Sequence, residues 1–170
     1  MATETRAMPD SGEDLEAIYD QFAPRLYAVA HRMLGNAAEA EECVQDLFLA
    51  LLRSRTERVR ILDLRAYLFS SLRRAVSQRG RAQSGRERLH AVLARSDEPQ
   101  VGSASEHDSR ALARALETLP VEQREVLALK VDGQLTFAEI AEQMGVSLNT
   151  AASRYRYALA KLKEFLGEMP

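Results

Sequence analysis

The chain has 170 residues, enough for one compact domain or two small ones, and its 46% apolar content argues against wholesale disorder. A single cysteine, Cys43, excludes an internal disulfide and points to a reducing compartment. The net charge of −2 is uneven: residues 1–63 hold 7 basic and 12 acidic groups, residues 64–95 hold 8 arginines and only Glu87, and residues 96–170 hold 8 basic and 12 acidic groups. A basic middle between acidic ends marks an interaction surface.

The polar start, residues 1–13, reads as a disordered tail and not as a secretory signal. Residues 14–95 form the first expected domain. Leu15, Ile18, Tyr19, Phe22, Leu26, Val29, Ala30 and Met33 recur at helical spacing. Pro24 predicts two short helices or one kinked helix, ended by Gly35. Asn36 with Glu39 approaches a capping box, opening a helix whose stripe is Ala40, Cys43, Val44, Leu47, Phe48, Leu51 and Leu52. Its other face carries Glu41, Glu42, Gln45 and Asp46. Asp63 caps a third helix expected to reach about Gln78, with Leu64, Leu68, Leu72 and Val76 inward and Arg65, Arg73 and Arg74 outward. Gly80 and Gly85 weaken the pattern, and a short amphipathic stretch with Leu89, Val92 and Leu93 follows.

Residues 96–107 are Ser-, Asp-, Glu-, Pro- and Gly-rich without periodicity, the composition of a flexible linker. The second domain covers 108–170. Leu112, Leu116 and Leu119 predict one helix and Val121–Val131 another, with Val126, Leu127 and Leu129 inward. After an Asp132–Gly133 turn, Thr136 and Glu139 make a capping box for a helix burying Phe137, Ile140, Ala141 and Met144. Gly145 turns the chain and Ser147 caps a last helix reaching about Phe165. No segment alternates like a strand, so the fold class is all-α: two small helical domains joined by a linker.

Thr136–Lys163 has the parts of a helix-turn-helix: a capped helix, a glycine turn and a second capped helix. In the last helix Ala151, Tyr155, Ala158, Leu159 and Leu162 are expected inward, Asn149, Ser153, Arg156 and Tyr157 outward and Arg154 at the boundary; with Thr150 these polar residues make the candidate reading surface. From Asn149 to Lys163 there are four basic groups and no acid. A cationic, polar helix suits the major groove, where Arg bridges guanine edges and Asn or Ser takes base or phosphate contacts.

The runs Leu119–Lys130, Leu135–Thr150 and Ser153–Lys163 closely resemble region four of the extracytoplasmic-function (ECF) sigma factors of the sigma-70 family. Ala40–Leu49 resembles region 2.2 and Arg65–Phe69 the start of region 2.3. The resemblance implies an alternative sigma factor that binds the polymerase clamp helices and flap, binds promoter DNA, and has an anti-sigma factor as a further partner. It implies core-polymerase contacts at Glu41, Glu42, Gln45 and Asp46, minus-ten contacts at Arg73, Arg74, Gln78, Arg79 and Arg81, and minus-thirty-five contacts on the reading surface above. Where many members carry Asn and Asp, this chain has Arg74 and Gln78; where they carry a Val-Lys pair, it has Ala151 and Ala152.

Other readings are a stand-alone helix-turn-helix regulator and a sigma-like decoy that does not open DNA. His31, His90 and His107 form no metal or nucleophile constellation, so no enzyme, cofactor or metal site is expected. The expected protein is cytoplasmic, without membrane insertion, and a monomer when free.

Overall fold

The computed structural model describes residues 12–56, 63–90 and 104–167, with side chains described for 15–53, 63–80 and 111–167. Seven helices make up these residues: α1 (Gly12–Leu34), α2 (Ala37–Thr56), α3 (Leu64–His90), α4 (Ala104–Glu117), α5 (Val121–Val131), α6 (Phe137–Met144) and α7 (Leu148–Gly167). The expected tail lies outside the described residues except for Gly12 and Glu13, which begin α1. Residues 91–103, including Val92, Leu93 and most of the expected linker, also lie outside them.

The helix starts follow local chemistry. Asn36 Oδ1 accepts from the Glu39 amide at 3.1 Å, and Asp63 Oδ1 accepts from the Ala66 amide at 2.9 Å. Gly35 and Gly145 take the left-handed conformation at φ 68° and 64°, the region where a side chain costs most. Pro24 does not split α1, which runs through it as one helix. Proline removes one backbone bond, but Phe22 and Leu26 are buried on either side of it and hold both halves to the same core.

α3 continues well past Gln78, through both Gly80 and Gly85. A glycine costs only about 1 kcal/mol against Ala in a helix interior, and most other residues of this stretch tolerate helix. α4 begins at Ala104, so the last residues of the expected linker are helical. The buried positions of α4 are Ala111 and Ala115, while Leu112 is exposed, so the inward face is shifted from the leucine stripe. Leu52 and Leu159, both expected inward, are exposed as well.

α1, α2 and α3 pack around Leu26, Cys43, Leu51, Leu68 and Leu72. α7 packs on α4, α5 and α6. The two units also touch: α1 contacts α5 and α3 contacts α6. Phe69 of α3 belongs to the same buried cluster as Leu129, Leu135 and Ile140. Gly133 sits in this contact: a Cβ there would lie 3.1 Å from Phe69 Cε1 and 2.6 Å from the Leu129 carbonyl oxygen.

Candidate functional site

On α2 the apolar stripe Ala40, Cys43, Val44, Leu47 and Phe48 is buried, which turns Glu41, Glu42, Gln45 and Asp46 outward. Helical periodicity alone puts these four polar groups on one exposed face. A shallow groove runs beside them, where Tyr19, Ala23, Pro24 and Tyr27 of α1 meet Glu41 and Gln45.

The arginines of α3 do not form one patch. Arg74 is exposed and donates to Ser71 Oγ at 3.1 Å, and Gln78 is exposed. Arg73 points into the second unit, where it pairs with Glu125 and donates from Nη1 to the Gln143 carbonyl at 2.7 Å. Arg79 turns back over α2, donating to Asp46 Oδ2 at 2.7 Å and to Cys43 Sγ, with Glu42 Oε2 at 3.6 Å. Arg81 lies on α3, but its side chain is outside the described ones.

Burial works against the charge on Arg79, and the Cys43 and Asp46 contacts more than offset it, raising its pKa. The Cys43 thiol is pushed up by burial despite the neighbouring guanidinium.

The second surface is the helix-turn-helix. Thr136 Oγ1 accepts from the Glu139 amide at 3.2 Å while Glu139 Oε2 accepts from the Thr136 amide at 2.6 Å, a complete capping box. Burial raises the Glu139 pKa, but these Thr136 bonds and nearby Arg65 and Arg25 outweigh it and hold the carboxyl below its ordinary value. Ser147 Oγ accepts from the Thr150 amide at 3.0 Å and starts α7. Phe137 meets Tyr155 edge-on at 5.5 Å, and buried Ala151 allows close approach, so the two helices are fixed at their crossing. Asn149, Arg156 and Tyr157 are exposed; Thr150, Ser153 and Arg154 are half-buried beside them. Arg156 Nη2 donates to Ser153 Oγ at 3.2 Å.

Between the units the first supplies the cations. Arg25 donates to the Gly133 carbonyl, Arg32 pairs with Asp132, and Arg65 donates to the Gln134 carbonyl at 2.8 Å and lies 3.6 Å from Glu139. Arg25 also sits over the Phe69 ring at 5.8 Å, and burial, then Arg65, lowers its pKa. Arg25 and Arg32 were not among the expected site residues. Their acceptors lie 108 and 100 residues away, on a turn the sequence marks only as a turn.

Two family models match the chain: Sigma-70 region 2 over residues 18–86 and Sigma-70, region 4 over residues 109–162. An RNA polymerase sigma factor of Myxococcus xanthus, CarQ, is 32% identical over 167 residues, 94% of each chain. The chain belongs to the ECF sigma factors of the sigma-70 family. The ECF sigma factor SigK of Mycobacterium ulcerans is 29% identical over 156 residues, 87% of this chain and 83% of that one.

Among solved structures, the fold is similar to RpoE of Bartonella quintana in complex with the anti-sigma factor NepR, with TM-score 0.71, 24% identity, and 93% and 99% of the two chains covered. It is also similar to CnrH in complex with the cytosolic domain of CnrY, with TM-score 0.66, 20% identity, and 95% and 92% covered. The sigma factor thus carries both family blocks in order, one on each helical unit.

Proposed function

We propose that this sigma factor docks on core RNA polymerase through Glu41, Glu42, Gln45 and Asp46 of α2, and reads promoter DNA with two separate surfaces. The observation that carries the reading is the exposure of this polar α2 face in the same chain as a fully capped helix-turn-helix. Arg74 and Gln78 are the exposed minus-ten side chains on α3, and Asn149, Thr150, Ser153, Arg154, Arg156 and Tyr157 of α7 take the minus-thirty-five element. The N-terminus of α7, through its helix dipole, adds phosphate affinity at the start of the reading helix.

Arg73 reaches a promoter strand only after leaving Glu125 and Gln143. The distance between the two promoter elements supports the same step. About 25 base pairs at about 3.4 Å each is about 85 Å. A closed chain of this length has a radius of gyration of about 15 Å, hence a diameter of about 40 Å. It does not touch both elements at once. The chain from His90 to Ala104 can span at most about 48 Å when extended, which, with the widths of the two units, brings both elements within reach.

We read the protein as an initiation subunit and not an enzyme; its His31 is exposed and stacked on Tyr27 at 5.8 Å. Among the described residues no helix is long and apolar enough to cross a membrane, and a cytoplasmic monomer fits the role. An anti-sigma factor is a further proposed partner, as for the two structural relatives. The test is a pull-down: Gln45→Ala with Asp46→Lys abolishes capture of core polymerase while the melting temperature holds. Undiminished capture removes the α2 face from the docking surface.

A further inference from the structure

We infer that Arg79 is a positioning residue of the polymerase-docking face and not a promoter contact. The inference rests on the docking role proposed for α2. Glu42 and Asp46 lie one turn apart on the same helix face, where two carboxylates repel. Arg79 relieves this from the neighbouring helix: its Nη2 lies 2.7 Å from Asp46 Oδ2 and 3.6 Å from Glu42 Oε2. The exposures show which partner faces outward: 26% for the Arg79 side chain against 66% and 65% for Glu42 and Asp46. The guanidinium is recessed, anchored through Nη1 on Cys43 Sγ beneath the face, and the carboxylates stand in front of it.

This geometry has two consequences. The carboxylates are held in one orientation before a partner arrives, so less side-chain entropy is lost on docking. The guanidinium is also already spent: a promoter phosphate would have to strip it from two carboxylates and a thiol. Among the described side chains of α3 the exposed cation is Arg74.

The experiment measures core-polymerase affinity and melting temperature for the full chain and for Arg79→Gln, Arg79→Lys, Asp46→Asn and the Arg79→Gln/Asp46→Asn double variant. Promoter opening is then measured with holoenzyme formed at saturating sigma factor. Arg79→Gln is expected to weaken core binding about tenfold, the scale of one ordered charge-assisted contact. Arg79→Lys recovers most of that loss, the double variant is no weaker than Asp46→Asn alone, and saturated holoenzymes open promoters equally. Unchanged core affinity with lost promoter opening returns Arg79 to the DNA surface and overturns the inference. Equal loss with Gln and Lys, tracking melting temperature, also overturns it, leaving only a role in folding. If Asp46→Asn itself leaves core affinity intact, the docking reading fails, and this inference with it; if only Arg79→Gln is silent, the docking reading stands.

Discussion

Glu125→Gln is the most informative change between the two helical units. The carboxylate pairs with Arg73, and the side chains are 13% and 34% exposed, so the pair is neither buried nor fully solvated. Exposed pairs contribute about 0.2–1 kcal/mol, and breaking a buried pair costs about 3–5 kcal/mol. A partly buried pair whose cation keeps a second acceptor, the Gln143 carbonyl, should cost about 1–2 kcal/mol. That is a factor of about 5–30 between docked and separated units.

Small-angle scattering over a salt series reads this directly. Wild type at low salt should give a radius of gyration of about 15 Å, and Glu125→Gln should expand at lower salt than wild type. Because the variant also releases Arg73, its holoenzyme should form open promoter complexes at least as fast as wild type. Superimposable scattering curves at every salt concentration would refute the account of the Arg73–Glu125 pair.

Thr136→Ala removes one half of the capping box and should cost about 1 kcal/mol, seen as a lower melting temperature and weaker promoter binding. Gly145→Ala places a side chain at φ 64° and should cost about 1–2 kcal/mol by denaturant titration. Leu72→Ala, at a fully buried position, should cost about 2–5 kcal/mol and lower yield of folded protein. Glu139 has a folded pKa below its unfolded value, so its stabilisation of α6 is complete above the ordinary glutamate range and is lost as pH falls through the folded value. Glu139→Gln should flatten that part of a stability–pH curve; an unchanged slope would place the acid sensitivity elsewhere.

The helix starts were legible because each rests on residues three apart. Asn36, Asp63, Thr136 and Ser147 each accept from a backbone amide three residues on. The polar α2 face was legible for a similar reason, since Cys43, Val44, Leu47 and Phe48 pull the helix one way. The length of α3 was not, because two glycines lower local propensity by an amount the rest of the helix absorbs. Nor was the inward face of α4, where small Ala111 and Ala115 are buried while Leu112 is exposed; on α7 the expected Ala151 and Ala158 are buried and only Leu159 turns outward. Close helix approach favours the small residue at the contact, and hydrophobicity alone does not register that. The destinations of Arg73 and Arg79 depend on partners 52 and 33 residues away; a charge run records the cations, not what they meet.

In vitro transcription with purified core polymerase, with start sites mapped on genomic fragments, decides whether this chain initiates transcription. Discrete run-off transcripts should depend on this sigma factor and disappear with the Gln45→Ala/Asp46→Lys variant. Core binding without any transcript, on any fragment, would contradict an initiating role and favour a decoy.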